Sequence, residues 1–298
     1  MNIIPHKIKQ GLSRVPNIKN IIAVTSGKGG VGKSTTAINL AISLAKNGVA
    51  TGLLDADVYG PSVPILVGER SFKPGVVNAR FIPLDKFGIQ ILSFGFLVAE
   101  NQPAIWRGAI VNKALDQLLF DTNWRDLDCL IIDMPPGTGD IHISMCQKMP
   151  ITAVISVTTP QDIALLDVAK GIEMYKKMGI PCLGIIENMS THICSNCGHI
   201  EELFGSGGGD KLALTYGFEI LGKLPLDINI RLNSDKGIPI AANADNFIAD
   251  NFIGDNLIVD NSIAELYSKL SVNVLNKLSL LGKDCSSKLG MGKLKIVN

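Results

Sequence analysis

Gly27-Lys28-Gly29-Gly30-Val31-Gly32-Lys33-Ser34-Thr35 is the stretch of this sequence with the plainest chemistry. Up to Ser34 it fits G-x-x-x-x-G-K-[ST], in which glycines let the backbone curl until several N–H groups converge on phosphate oxygens. The apolar, largely β-branched run Ile21 to Thr25 before it reads as a strand. After it Ala37, Leu40, Ala41 and Leu44 recur at helical spacing, so the loop opens a helix whose N-terminus favours anions. Lys33 would neutralise the β and γ phosphates, and Ser34 would offer its hydroxyl to Mg2+.

Carboxylates at the ends of two further strands could complete a nucleotide site. Ala50 to Leu54 ends in Asp55-Ala56-Asp57, where a carboxylate beside the phosphates can orient a water or a Mg2+-bound water. Either aspartate could instead cap a helix. Leu130-Ile131-Ile132 ends in Asp133, placed to hold Mg2+ through water. The loop from Met134 to Asp140 then offers Gly137 or Gly139 as a hinge, since Pro135 and Pro136 are stiff.

A second candidate centre is Cys194-Ser195-Asn196-Cys197-Gly198-His199, flanked by His192. A thiol redox pair should open a helix near the start of a βαβ unit, whereas this C-x-x-C follows a strand late in the chain. A zinc ribbon needs a second knuckle, and the sequence has no other C-x-x-C. Two such half-sites brought together by a symmetry mate would present four thiolates, a set that suits a [4Fe–4S] cluster and also zinc. Cys129 and Cys146 have apolar neighbours and read as buried structural thiols.

The elements that must position these groups follow from periodicity. Strands are expected at Ala50–Leu54, Cys129–Asp133, Thr152–Val157, Pro181–Ile186 and Glu219–Leu224, with helices at 108–120, 161–177 and 208–216. That alternation predicts an α/β fold with a doubly wound, mostly parallel sheet. Asn78 to Phe96, centred on Asp85-Lys86-Phe87-Gly88, reads as an inserted hairpin. Asp-Asn-Phe-Ile recurs with a period of five from Asp245, which keeps no fixed face on a helix or strand and is expected to be a surface insertion. The resulting division is an N-terminal extension over 1–17, a nucleotide domain over 18–242 with the cysteine loop at 188–205, the repeat at 243–262, a helix at 263–280 and a mobile basic tail at 281–298.

Composition limits the partners. The 298 residues carry 28 Lys plus Arg against 27 Asp plus Glu, so no bulk charge argues for nucleic acid or an anionic membrane. No apolar run reaches the ~18 residues of a spanning helix, and the N-terminus lacks an apolar secretory core, so a cytoplasmic chain without stable membrane association is expected.

The whole loop, with Lys28 after its first glycine, resembles the deviant Walker A of the MinD, ParA and nitrogenase iron protein class. That resemblance implies a P-loop ATPase dimer in which Lys28 reaches the partner's nucleotide, with Asp57 in switch I positioning the attacking water and Asp133 as the Walker B residue. With Ile105-Trp106-Arg107-Gly108, Asp133-Met134-Pro135-Pro136-Gly137-Thr138-Gly139-Asp140, Glu187-Asn188-Met189-Ser190 and Ser234-Asp235-Lys236-Gly237-Ile238-Pro239, the chain is similar to the Mrp/ApbC iron–sulfur cluster carrier ATPases over about residues 18–242. The resemblance implies that Cys194 and Cys197 bridge a labile [4Fe–4S] cluster across a homodimer, and that Asn188 contacts adenine. Slow ATP hydrolysis would accompany transfer of the cluster to apo iron–sulfur recipients, with scaffold proteins as further partners.

Three features depart from the family. Too few residues precede Gly27 for the small domain many relatives carry there, the Asp-Asn repeat interrupts the C-terminal region, and the cysteine spacing is not that of the nitrogenase iron protein. The alternatives are a MinD/ParA-like positioning ATPase that binds membrane or DNA, and a zinc-stabilised dimeric ATPase.

Overall fold

Ile18–Ser26 forms the central strand, β1, because its apolar side chains can be buried on both faces: Ile22, Ala23 and Val24 are wholly inaccessible. The computed structural model describes residues 3–9, 11–98, 108–194, 196–243 and 261–289. After β1 come α1 (Lys33–Lys46), β2 (Thr51–Asp55), α2 (Val63–Leu66) and a small hairpin of β3 (Val76–Val77) and β4 (Arg80–Phe81). Next are β5 (Leu84–Lys86), β6 (Ile89–Ser93), α3 (Gly108–Phe120), β7 (Leu127–Asp133), α4 (Asp140–Lys148), β8 (Ala153–Thr158) and α5 (Asp162–Met178). The chain continues through β9 (Cys182–Ile193), β10 (Ile200–Glu201), α6 (Gly208–Tyr216), β11 (Ile220–Leu226), α7 (Ile228–Asp235), α8 (Ile240–Asn243) and α9 (Asn261–Leu289).

Among the described residues one nine-stranded sheet runs β10-β9-β8-β1-β7-β2-β6-β5, with β11 also paired to β9. Only β5 and β10 are antiparallel to their neighbours. Helices α3 to α6 contact one another in succession, and α1, α2, α7, α8 and α9 form a second connected set. This is the doubly wound α/β architecture the alternation predicts. The expected hairpin is β5–β6, turned at Phe87 and Gly88, which both have positive φ, and β6 then joins β2 in parallel.

The registers gather the site at one edge. Asp55 at the end of β2 stands opposite Asp133 at the end of β7, and Val24 of β1 opposite Asp133, so both carboxylates and the loop after Ser26 emerge together. Ligands in such sheets bind beyond the carboxyl ends of the strands, where the order reverses.

Two boundaries differ from the sequence expectation. The helix placed at 263–280 runs from Asn261 to Leu289, taking in the first part of the stretch read as a mobile tail, because Gly282 does not interrupt it. It is also no mere extension. Ile263, Tyr267, Leu270, Val274 and Leu278 are buried in the main core, and Asn47 Nδ2 on the loop after α1 donates to Ser271 Oγ at 2.7 Å. Likewise Ile3 and Val15 of the N-terminal extension join that core. The Asp-Asn repeat, Ile105-Trp106-Arg107 and the end of the basic tail lie outside the described residues.

Candidate nucleotide and metal-binding site

The loop between β1 and α1 takes its shape from two glycines with positive φ, Gly30 at 83° and Gly32 at 82°. Gly27 is required for a different reason: a Cβ there would come within 2.7 Å of the Asp167 carbonyl carbon on α5. Ser26 Oγ donates to the Lys28 carbonyl at 2.9 Å, curling the chain back, and Thr36 N–H closes the first turn of α1 onto the Gly32 carbonyl at 2.9 Å. Amides earlier in that turn have no partner within the helix, as at any helix start.

A cavity of about 360 Å³ opens over this loop, lined by Ser26, Lys28, Gly29, Gly30, Gly32, Lys33, Ser34 and Thr35. Asp57, Gly60, Ser62, Leu66, Pro136 and Met189 form its other walls. Gly27 and Val31 stand behind it; Val31 is buried, and its carbonyl accepts from Asn188 Nδ2 at 2.9 Å. Asn188 therefore holds the loop by its backbone, while the next residue, Met189, lines the cavity.

Lys33 is nearly enclosed. Its Nζ lies 2.6 Å from Asp133 Oδ1, 3.6 Å from Asp57 Oδ2 and 3.4 Å from Ser34 Oγ. Burial raises the Asp133 pKa, and the Lys33 ammonium opposes that rise. Asp133 Oδ2 is buried with no hydrogen-bond partner, which is costly unless a ligand completes it. An orphaned carboxylate oxygen beside a serine hydroxyl at the phosphate end of a P-loop is an oxygen donor set that fits Mg2+.

Asp55 is wholly buried and has a positioning task. Its Oδ1 accepts from Asp57 N–H at 3.1 Å; its Oδ2 accepts from Val63 N–H at 3.2 Å and Ser93 Oγ at 2.8 Å. It thereby ties β2, β6, α2 and the Asp57 turn together. Burial and the nearby Asp133 push it up to about 7. The Ser93 and Val63 contacts are long-range or local backbone bonds that no motif announces.

The cysteine pair sits on an overhang of the same sheet edge. Strand β8 accompanies β9 only to Glu187, whereas β11 follows it to His192, so Asn188 to Ile193 project past β8. Met189 has φ 56, and between Leu224 and Leu226 of β11 the β9 strand advances from Asn188 to His192, a bulge at the cavity edge. Ser190 Oγ donates to the Leu224 carbonyl at 3.1 Å, and His192 Nδ1 meets the Leu226 carbonyl at 3.2 Å, clasping the bulge to β11. Glu187 Oε2 accepts from Gly209 N–H at 2.7 Å and fixes α6 alongside.

Cys194 and Cys197 occupy the turn between β9 and β10, not the start of a helix. Cys194 N–H donates to the His199 carbonyl at 2.9 Å and Gly198 N–H to the Cys194 carbonyl at 2.8 Å. Backbone N–H groups of Asn196 and Cys197, and then the Cys197 thiol, act on the Cys194 sulfur and lower its pKa, favouring the thiolate that binds metals. Among the described residues no third Cys, His, Asp or Glu joins them in a metal-sized group. Cys129 and Cys146 are buried, both pushed up to about 12 by burial, as expected of inert thiols.

With this geometry established, likeness to known proteins decides the family. The sequence model of the family described as "ParA: NUBPL iron-transfer P-loop NTPase" matches residues 17–256. An iron-sulfur cluster carrier protein of Pseudomonas fragi is 53% identical over 241 residues, covering 80% of this chain and 84% of that one.

The chain belongs to this iron-transfer P-loop NTPase family.

Another family relative, the iron-sulfur cluster carrier protein of Escherichia coli K12, is 52% identical over 76% of this chain, but the match spans only 64% of that protein's length. The iron-sulfur cluster transfer protein NUBPL of Dictyostelium discoideum is 41% identical, covering 91% of this chain and 80% of that one. Among solved structures, a nucleotide-binding protein from Archaeoglobus fulgidus in complex with ADP matches with a TM-score of 0.67 and 37% identity, over 75% of this chain and 88% of its own. The cell division ATPase MinD of Pyrococcus furiosus matches with a TM-score of 0.60 over 86% of this chain and 98% of its own; at 20% identity it shares the fold alone. No described helix is long and apolar enough to cross a membrane.

Proposed function

We propose that two copies of this chain carry a [4Fe–4S] cluster between their Cys194 and Cys197 pairs, bind and slowly hydrolyse ATP, and pass the cluster to apo-proteins. The observation that carries this reading is the course of β9. Asn188 grips the loop at Val31, Met189 lines the cavity, and the same strand ends at Ile193, so that Cys194, the first residue of the turn, follows Met189 by five residues. Five extended residues span about 16 Å, so a change at the nucleotide has a short, continuous route to the thiols. Relatives named as cluster carriers and an ADP-bound solved relative support the cargo and the ligand.

In this account the amides from Gly29 to Thr35 and the Lys33 ammonium bind the β and γ phosphates. Mg2+ held by Ser34 and, through water, Asp133 would supply further positive charge. The phosphates must draw Lys33 away from Asp133, and that exchange frees the carboxylate. Asp57 orients the water that attacks the γ-phosphorus as the bond to the β-phosphate oxygen breaks, releasing ADP and phosphate. Lys28 lines the cavity mouth and would supply charge to the partner's nucleotide. Asn188 Oδ1 would accept from the adenine amine while its Nδ2 keeps the bond to Val31.

Two thiolates per chain make half of a four-thiolate site, so the cargo requires a homodimer. The test is anaerobic reconstitution with iron and sulfide, followed by incubation with an apo-ferredoxin. The parent chain should take up a cluster and activate the acceptor, and the Cys194→Ala, Cys197→Ala variant should do neither. A transferable cluster on that variant would overturn the reading, and uptake of zinc alone by the parent would assign the pair to structural zinc.

A further inference from the structure

Behind the nucleotide cavity the fold buries two polar side chains that the proposed chemistry leaves unused. His142, in the first turn of α4, and Tyr175, near the end of α5, are 1% and 2% exposed. Polar groups so placed are costly unless hydrogen-bonded. His142 Nε2 is bonded to the Tyr175 hydroxyl, and His142 Nδ1 lies 3.3 Å from the Pro135 carbonyl oxygen. A carbonyl can only accept, so Nδ1 carries the proton; Nε2 is then the acceptor and Tyr175 the donor. Burial pushes the imidazole down to about 4, which keeps it neutral at pH 7 and preserves this directed chain. The Thr25 side chain of β1 stands beside the tyrosine hydroxyl.

The anchor is closely packed. Helix α5 packs its backbone against Gly27 at Asp167 and Val168, and a Cβ on Gly171 would sit 3.9 Å from the Thr138 methyl group. One helix therefore packs on the first glycine of the phosphate loop, passes the Thr138 methyl group at a glycine and, through Tyr175 and His142, reaches the Pro135 carbonyl. Proline has no N–H, so its carbonyl is the only backbone hydrogen-bonding group by which Pro135 can be held. Pro136, the next residue, lines the nucleotide cavity, and Gly137, with φ 82°, donates its N–H to the Ser26 carbonyl at 2.9 Å.

We infer that His142, oriented by Tyr175, is a positioning residue for the 134–139 loop: it holds the Pro135 carbonyl and so sets where the following backbone meets the γ-phosphate. The inference rests on the nucleotide-hydrolysis reading above and concerns the terminal phosphate. The grip of the glycine loop on a diphosphate should not need it.

The test compares ATP turnover and fluorescent-ADP affinity in the full chain and in His142→Leu, His142→Gln and Tyr175→Phe. Glutamine can accept from the tyrosine and donate to the carbonyl at once. His142→Leu and Tyr175→Phe should lower kcat about tenfold with KM for ATP and Kd for ADP within about threefold, and His142→Gln should recover most of the loss. A folded His142→Leu chain with wild-type kcat, or a His142→Gln chain as impaired as His142→Leu, overturns the inference. If His142→Leu fails to fold, Tyr175→Phe and the histidine tautomer decide: nitrogen–proton correlation should show the proton on Nδ1, and a proton on Nε2 or a charged ring at pH 7 overturns it. A parent chain without hydrolysis would defeat the hydrolysis reading itself. The positioning claim is then read from the affinity ratio of a non-hydrolysable ATP analogue to ADP, which His142→Leu must lower and His142→Gln must keep.

Discussion

Lys33 lies between Asp133 and Asp57, with side chains 6%, 0% and 11% exposed respectively, so its charge holds together a cluster that phosphates would otherwise organise. Removing it leaves a buried carboxylate uncompensated. Lys33→Met is expected to lower unfolding stability without nucleotide by about 3 kcal/mol, and adding Asp133→Asn should restore at least about half of that. Denaturant unfolding of both variants checks it; a double variant no more stable than Lys33→Met would contradict the pairing. At this scale the sequence was legible where spacing dictates chemistry: the glycines, Lys33, Ser34 and the strand-end aspartates all fall where the motif puts them. It was silent where partners come from distant segments. Asp55 bonding Ser93, Asn188 bonding Val31 and His142 bonding Tyr175 are separated by 38, 157 and 33 residues, and no local pattern records them.

Between elements, α4 is joined to α5 and to the loop after β7 by one imidazole, and that has a pH signature. Burial depresses His142 from 6.5 to about 4, so the unfolded chain takes up a proton below about pH 6.5 while the folded chain does not until about pH 4. The stability it contributes is complete above pH 6.5 and is lost as the pH falls from 6.5 to about 4, up to about 3 kcal/mol. Asp55 acts with the opposite sign: raised from 3.8 to about 7, its burial weakens the fold as the pH rises from about 4 to about 7, above which both states are ionised. The difference between parent and His142→Gln isolates the first effect. Thermal unfolding of the variant should lose less stability than the parent between pH 7 and 5, and equal losses would contradict the assignment. Periodicity anticipated most elements, with 108–120 and 208–216 observed as Gly108–Phe120 and Gly208–Tyr216. It stopped β9 at Ile186 because the continuation, Glu187 to Ile193, is polar and carries a left-handed residue at Met189. That continuation is the part that reaches the cysteines.

Across the whole molecule, the two helix layers meet the site differently. The layer with α9 secures α1 from behind, through buried Tyr267 and the Asn47–Ser271 bond, while α5 of the other layer packs on the loop at Gly27 and reaches Pro135 through Tyr175 and His142. The compositional break at the Asp-Asn repeat suggested that the domain ended near residue 242, yet the helix beyond it supplies core side chains, since burial depends on where the chain returns and not on sequence continuity. Cluster carriage is also a matter of whole-molecule stoichiometry: two thiols from each of two chains around one cargo. Native mass spectrometry of the anaerobically reconstituted protein measures it most directly. The expected species is two 31.8 kDa chains carrying a single cluster of about four iron atoms, converted to cluster-free protein in Cys194→Ala, Cys197→Ala. A cluster held by one chain alone, or retained in equal amount by the variant, would contradict it.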